Sequence, residues 1–460
     1  MGQVDKGRDG RASLLALAAI LALALGLRVG EAWDGRPPVF DAAAYATIAA
    51  NLERGEGFAL GPGATQPASN YSPGLPLLVA GVYAATGGVH ERTARLALAL
   101  VGTLAVLFAY LIGRRLSGPT AGLIGAAAVA IYPALLEYQG MLMGEPLAAT
   151  LLGGAVLAVL WASDARQTGL ARGSCRGAGG PAGEVYVLDP PAPRHPRVRW
   201  LLPGALLGAL SLVRPEYLGI ALLVSLVILG IGWRNERGRA TIDAAILLVG
   251  VAIVVAPWTV RNAVALDRFV PVSTGGGQVL FAGTYLPSDG DPERVGAEVV
   301  ARNPQLFGPR AVERLRLEEI LARLAEARHP GVETDRALAR MGREQLWDGV
   351  SEEPLEYAGF VTTKVWRAWT HGQREVMQEP GWQLFHWALV ALGLGGLAAL
   401  ASQRRWEALL LATILLAVTA VCALLVASPR RVLVTMPLVA ALAGVGATHA
   451  GAWLRSRIRP

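Results

Sequence analysis

The stretch Pro73-Gly74-Leu75-Pro76-Leu77-Leu78-Val79-Ala80-Gly81-Val82-Tyr83-Ala84-Ala85-Thr86-Gly87 decides how the rest of the chain is threaded. It is apolar almost throughout, yet at about 15 residues it falls short of the roughly 20 that an untilted bilayer-spanning helix needs. Around it lie apolar runs at 12–30, 94–112, 118–134, 146–162, 200–214, 217–233, 241–258, 384–402, 406–426 and 432–454. If 73–87 crosses the bilayer, every later loop changes side. If it lies along the membrane surface, the first basic cluster (Lys6, Arg8, Arg11) shares a side with all the others. These are Arg114 and Arg115; Arg166, Arg172, Arg176, Arg194, Arg197 and Arg199; Arg234, Arg237 and Arg239; Arg404 and Arg405; and Arg455, Arg457 and Arg459. Nineteen cations then face one compartment. Cytoplasmic loops carry an excess of Lys and Arg, so 73–87 reads as a juxtamembrane helix, ten segments span, and both termini are cytoplasmic.

Composition agrees with a polytopic membrane protein. Of 460 residues, 53% are hydrophobic and 17% charged, with a mean hydropathy of +0.42. That balance excludes an ordinary soluble domain. The net charge of +7 is explained by orientation-setting loops, so nucleic acid is not an expected partner. The run Leu14 to Leu27 reads as an uncleaved first helix, because Arg28 and Glu31 interrupt any small-residue cleavage site. Cys175 lies in a polar loop and Cys422 in an apolar helix, which excludes a disulfide framework. Trp33, Trp161, Trp200, Trp233, Trp258, Trp382, Trp406 and Trp453 all fall at expected span ends, as an interfacial aromatic belt requires. No nucleotide-binding Gly-x4-Gly-Lys-Ser/Thr, no His-Glu-x-x-His and no Gly-x-Ser-x-Gly occurs in the sequence, which disfavours nucleotide hydrolysis, metalloprotease and α/β-hydrolase chemistry. No internal repeat is evident, which weighs against many transporter folds.

The organisation that follows is a transmembrane module at 1–258, an extracytoplasmic loop domain at 259–383 and C-terminal helices at 384–460. The first module contains an outer loop at 31–93 and a flexible cytoplasmic loop at 164–199, rich in Gly, Pro and Arg.

On this topology Asp41, Glu145, Arg214-Pro215-Glu216, Arg261 and Arg430-Arg431 emerge together on the outer side. Charges at that depth are costly and ask for a partner or a task. Arg430-Arg431 runs against the orientation rule, and an anionic ligand such as a lipid phosphate would account for it. Each acid also has a plain structural reading. Asp41 is placed to cap a helix over Ala42–Asn51, and Glu145-Pro146 reads as a helix start. As a pair, one can serve as general base on a hydroxyl while the other positions it, or both can hold Mg²⁺ or Mn²⁺. The run Ser273-Thr274-Gly275-Gly276-Gly277-Gln278 offers backbone N–H groups to a phosphate or sugar. His90 and His371 are further acid–base or phosphate candidates, set against the plain reading of polar loop residues.

These residues also carry a resemblance. Asp41-x-x-x-Tyr45 is followed by Tyr71-Ser72-Pro73-Gly74-Leu75-Pro76, Ala94-Arg95-Leu96 and Gly144-Glu145-Pro146-Leu147. Then come Val213-Arg214-Pro215-Glu216, Pro257-Trp258-Thr259-Val260-Arg261-Asn262, Phe269-Val270-Pro271-Val272-Ser273-Thr274-Gly275-Gly276, and Arg430-Arg431-Val432 with Pro437. Taken in order, this resembles the GT-C glycosyltransferases of the protein O-mannosyltransferase and lipid A aminoarabinose-transferase type. The resemblance implies an all-α enzyme of about ten spans in a prokaryotic cytoplasmic membrane, with a juxtamembrane helix, a large extracytoplasmic loop region and its site facing outward. It implies a polyprenyl-phosphate sugar donor, a lipid, glycan or protein hydroxyl acceptor, and inversion at the anomeric carbon. Asp41 matches the family's general base. Glu145 matches its second acid, where many relatives carry Asp. Arg214, Arg261 and Arg430 or Arg431 match arginines near the donor phosphate. Tyr45, Tyr71, Arg95, Glu216, Asn262 and His371 complete the expected substrate-binding set. Relatives often have His-Pro-Pro or Pro-Pro where this chain has Tyr71-Ser72-Pro73, so the acceptor class does not transfer. The rival readings are a lipid-linked-sugar flippase, a non-catalytic scaffold, and a glycan polymerase or ligase taking a polyprenyl-diphosphate donor.

Overall fold

The computed structural model describes residues 2–458 except 36, 62–66, 175–196, 234–235, 292, 309 and 372–374. The side chains of 2–9, 164–174 and 458 are also left out of the description. The architecture is all-α. In chain order the helices are α1 (Gly2–Trp33), α2 (Asp41–Glu53), α3 (Gly74–Thr86), α4 (Glu91–Ser117), α5 (Pro119–Ala130), α6 (Pro133–Gly140), α7 (Glu145–Ser174), α8 (Leu201–Val213), α9 (Tyr217–Gly232) and α10 (Arg237–Leu266). They continue with α11 (Gly276–Thr284), α12 (Val295–Arg302), α13 (Ala311–Arg314), α14 (Leu317–Arg328), α15 (Thr334–Glu352), α16 (Pro354–Thr370), α17 (Pro380–Ser402), α18 (Trp406–Leu424), α19 (Pro429–Leu433) and α20 (Met436–Ile458).

Among the described residues, seven helices are long and apolar enough to cross a membrane, in α1, α4, α7, α10, α17, α18 and α20; α5 and α6, bent by 49° at their junction, pass the same test of length and composition only when taken together. The shorter helices α8 and α9 occupy the remaining two of the ten expected places. The segment on which the threading turned is the 13-residue α3, about 20 Å long at 1.5 Å per residue, against a hydrocarbon core of about 30 Å. Gly87 ends it in the left-handed conformation (φ 75°), a position that favours glycine. Two expectations need correcting. Trp200 is fully buried at the start of α8 rather than lying in an interfacial belt, because α8 packs on both α7 and α10. The expected loop 164–199 begins as a continuation of α7 through Ser174, since Ala-, Leu- and Arg-containing sequence favours helix. Cys175 and 176–196 lie outside the described residues.

The bend between α5 and α6 has a cause. Pro133 cannot donate an N–H and starts α6, so the last carbonyls of α5 lose their helical partners. Arg28 of α1, 1% exposed, reaches across to replace them. Its Nη2 donates to Val129 O at 3.2 Å and its Nη1 to Ala130 O at 3.3 Å. Freed carbonyls at membrane depth need such a donor, because no water replaces it. The bend directs the chain through α6 into Gly144 and Glu145.

At the end of the bundle carrying the C-terminus of α4, Arg405 Nη1 donates to Leu116 O at 2.6 Å and its Nη2 to Glu407 at 2.9 Å, with Arg115 3.7 Å from the same carboxylate. Helices α11 to α15 share a second core around Phe281, Val295, Leu321 and Leu338. That core is tied to the bundle by Lys364 of α16, 1% exposed, whose Nζ donates to Gly283 O and to Ala423 O. Those carbonyls close the last turns of α11 and α18, where a cation is favoured.

Helices α17 and α20 approach backbone to backbone. A Cβ built on Gly396 would stand 2.0 Å from Leu442 O, and one on Gly446 2.1 Å from Leu392 O. Small residues allow this contact, which drives association where lipid is as apolar as the helix. Gly396→Val is therefore expected to lower thermal stability in detergent by at least the 1–3 kcal/mol of an overpacked interface. Gly395→Ala, whose Cβ meets nothing within 4 Å, should leave the midpoint nearly unchanged. Thermal-shift measurements on the two variants decide the point.

Candidate active site

Four chain segments bring their charges to one place. Phe40 turns the chain with φ 50°, and Asp41 opens α2. Phe40, not Asp41, occupies the cap position, and Asp41 is the first residue of the helix, so the expected capping role of Asp41 is not the one it has. Its Oδ2 accepts from Arg430 Nη1 at 3.0 Å. Glu145 opens α7, with Pro146 next to it, where its missing N–H is harmless. Arg214 stands between α8 and α9 in an extended conformation (φ −139°, ψ 99°), because the residue before a proline avoids the helical region. Arg430 and Arg431 sit in the short helix α19, whose start is fixed by Ser428 accepting from Arg430 N at 3.3 Å.

Glu145 is the centre of the cluster. Its side chain is wholly excluded from solvent, and Oε1 accepts from Arg430 Nε at 2.6 Å and from Arg214 Nη2 at 2.7 Å. Its Oε2 is buried with no hydrogen-bond partner among the described residues. Arg430 therefore bridges the two acids, and it also lies 5.8 Å from the centre of the Tyr138 ring. Glu216 Oε1 stands 3.5 Å from Arg431 Nε and 3.9 Å from Arg214 Nη1. Arg431 also donates to Val426 O. The Asp41 side chain is 45% exposed, so the two acids differ sharply in access to water.

These groups line a cavity of about 620 Å³. Eight of the expected site residues lie in its wall: Asp41, Tyr45, Tyr71, Glu145, Arg214, Glu216, Arg430 and Arg431. Tyr45 follows Asp41 by one helical turn and meets Tyr71 edge-on, with ring centroids 5.7 Å apart. Burial, and after it the charge of Asp41, push the Tyr45 phenol up to about 12, so at neutral pH it is a hydrogen-bond donor and not a base.

Arg95, Arg261, Asn262 and His371 do not line the cavity. Arg95 donates to Gly35 O at 3.2 Å and to Glu91 at 2.9 Å, which fixes the turn leading to α2. Arg261 lies 4.8 Å from the Trp258 ring centre and 5.5 Å from that of Phe58. Asn262 donates to Val270 O at 3.0 Å and Val272 O at 2.9 Å, and Trp258 Nε1 to Val272 O at 2.8 Å. Thr259 Oγ1 adds a bond to Pro271 O at 2.9 Å. The Pro-Trp-x-x-Arg-Asn string is thus a clamp on 270–272, and the clamp delivers Ser273–Gly276 to the cavity wall. His371 is exposed at the end of α16, beside Thr370.

The glycine run is placed as expected but is partly committed. Gly277 N and Gln278 N donate to Asp335 Oδ1 at 2.8 and 3.3 Å, so these two N–H groups cap α11 with a carboxylate of this chain instead of cradling a ligand. Gln278, the last residue of that run, also lines the cavity, and sequence reasoning missed Asn70 and Glu318, which line it too. Glu318 belongs to α14, whose charged pattern reads as a solvated helix, and no local signal sets it apart.

The donor set does not fit a divalent cation. Mg²⁺ and Mn²⁺ want near-octahedral oxygen ligands. The two candidate carboxylates instead converge on a guanidinium, and among the described residues no group of three or more His, Cys, Asp or Glu is arranged to hold a metal.

Asn262→Ala is expected to leave two carbonyls without their donor, a loss of about 1–3 kcal/mol for buried groups. Amide exchange over 269–276 should rise severalfold while that of α10 stays protected. Unchanged exchange would show that the clamp does not hold this segment.

No family model matches the sequence, and no curated protein matches it. Solved structures do. The archaeal oligosaccharyltransferase AglB from Archaeoglobus fulgidus, in complex with an inhibitory peptide and a dolichol-phosphate, aligns with a TM-score of 0.57 at 16% identity, covering 98% of this chain and 52% of that one. The Archaeoglobus fulgidus oligosaccharyltransferase in complex with Zn and sulfate aligns at 0.54 and 14%, covering 96% and 50%. ArnT from Cupriavidus metallidurans bound to undecaprenyl phosphate aligns at 0.39 and 15%, covering 96% and 80%. The chain spans about half the length of the oligosaccharyltransferases it matches. At these identities the likeness is one of architecture: the chain shares the fold of the half of those oligosaccharyltransferases that it covers.

Proposed function

We propose that this protein is a membrane glycosyltransferase. It moves a sugar from a polyprenyl-phosphate donor to a hydroxyl acceptor at the extracytoplasmic face, with inversion and with Asp41 as general base. One observation carries the reading: four carboxylates and three arginines meet in the wall of one cavity, and among the two bridged acids Asp41 alone keeps a solvent-accessible carboxylate. A base must reach the proton it takes, and Glu145 is too deeply enclosed to do so. Glu145 instead fixes Arg214 and Arg430.

In the proposed step the acceptor oxygen attacks the anomeric carbon as its proton passes to the free oxygen of Asp41. The carbon–oxygen bond to phosphate breaks on the opposite face, and the electron pair leaves with the polyprenyl phosphate. Arg431 suits the departing charge best. Its ion pair with Glu216 is long at 3.5 Å, and its Nε is buried with no hydrogen bond among the described residues. Arg214, at 3.9 Å from Glu216, has a donor to spare as well. Fixed cations facing developing charge in a water-poor site contribute several kcal/mol. The loop region 259–383 supplies Gln278 and Glu318 to the cavity wall, and we assign it the acceptor side.

The test is a transfer assay with purified protein in lipid and a panel of radiolabelled polyprenyl-phosphate sugars. Asp41→Asn should insert normally and lose about 10²–10⁴-fold in turnover, the usual range for a general base. Near-normal turnover would remove Asp41 from the reaction. Retained movement of the lipid-linked sugar across vesicles, with no transfer, would favour a flippase instead. Arg431→Ala should raise the donor KM at least tenfold and leave the acceptor KM within about twofold. An unchanged donor KM would remove Arg431 from phosphate binding.

A further inference from the structure

The acids of the cavity raise a question that the transfer reaction leaves open: what cation neutralises them. We infer that Arg430 stands in the position from which a divalent cation would bridge Asp41 and Glu145, so that the site is metal-free by construction and becomes a cation site once that guanidinium is removed. The inference deepens the reading of Asp41 and Glu145 as the working pair, and its first test needs no turnover.

Geometry supplies the first argument. Acids from the starts of two separate helices, α2 and α7, converge on one side chain, at 3.0 Å from Asp41 Oδ2 and 2.6 Å from Glu145 Oε1. A bridging metal would need these same two oxygens at about 2.0–2.6 Å, which the interposed guanidinium prevents. Charge is the second. Asp41, Glu145 and Glu216 are already matched by Arg214, Arg430 and Arg431. A further double positive charge would enter within a few ångströms of three cations, with only the exposed Glu318 of the cavity wall left to offset it. Anchorage is the third. Ser428 fixes the backbone of Arg430, and the Tyr138 ring lies against its guanidinium, so the side chain is not free to swing aside for a metal.

Removing the guanidinium reverses each argument. Asp41 Oδ2 and Glu145 Oε1 lose their shared donor, and Glu145 Oε2 is already without a partner among the described residues. Asp41 Oδ2 and Glu145 Oε1 then border the vacated volume, beside a cavity large enough to supply water ligands. A planar five-donor guanidinium and a hydrated divalent cation are alternative answers to the same pair of negative charges.

The experiment is Mn²⁺ titration of the detergent-solubilised full chain, read by electron paramagnetic resonance and by calorimetry. Wild type should take up no Mn²⁺ that depends on Asp41 or Glu145, up to millimolar concentration. Arg430→Ser should take up one equivalent per chain with a Kd of about 10⁻⁴–10⁻³ M, the range of weak oxygen-ligand sites. The double variant Arg430→Ser with Glu145→Gln should lose it. Stoichiometric Mn²⁺ on wild type that vanishes in Asp41→Asn would overturn the inference, and so would a folded Arg430→Ser chain that binds none. Should Arg430→Ser fail to fold, the comparison of wild type with Asp41→Asn decides alone. In the transfer assay a chelator should leave wild-type turnover within about twofold. Absence of any transfer would count against the proposed function and leave the Mn²⁺ result standing.

Discussion

The buried carboxylate of Glu145 between Arg214 and Arg430 constrains everything around it. An ion removed from water loses several kcal/mol of solvation, and only well-placed opposite charge offsets that loss. Here the offset comes from residues 69 and 285 positions away, so the starts of α2, α7 and α19 and the break between α8 and α9 must meet in one place. Once they do, Asp41 is drawn in through its bond to Arg430, and Glu216 through Arg214 and Arg431. The same network that steadies the helix ends is the lining of the cavity.

The framework that delivers these ends is built from backbone groups that helices leave unpaired. Arg28 satisfies the carbonyls at the break between α5 and α6, and α6 then leads to Glu145. Lys364 closes the last turns of α11 and α18, which sets the loop region against the bundle. Asn262, Trp258 and Thr259 hold 270–272, which puts Ser273–Gly276 in the cavity wall. Each of these donors pairs a carbonyl that would otherwise be buried without a partner. Polar residues that look functional in the sequence are therefore divided between the cavity wall and the framework that holds it.

That division explains how far the site could be read beforehand. Asp41, Glu145, Arg214 and Arg430 stand out because a charge beside a membrane span is expensive and needs a reason. Arg95, Arg261 and Asn262 meet the same criterion, yet they spend their donors on the protein's own carbonyls and rings. The sequence offers no means of separating the two groups, since both place a polar side chain at a helix end. Glu318 has the opposite problem. It sits in a helix rich in ordinary surface charge, and only the docking of α14 near Tyr71 makes it part of the cavity.

Hydrophobic runs and the placement of arginines determined by themselves that the chain is helical, that it is built of about ten membrane-embedded segments, and that 74–86 is too short to span comfortably. These follow from local facts: a helix rises 1.5 Å per residue, and the apolar length needed is fixed by the bilayer. Which acid is buried, which one keeps access to solvent, and which cation lies between them were decided by tertiary structure alone. Such distances join residues hundreds of positions apart, and they depend on helix breaks, caps and backbone-to-backbone packing that no local pattern encodes.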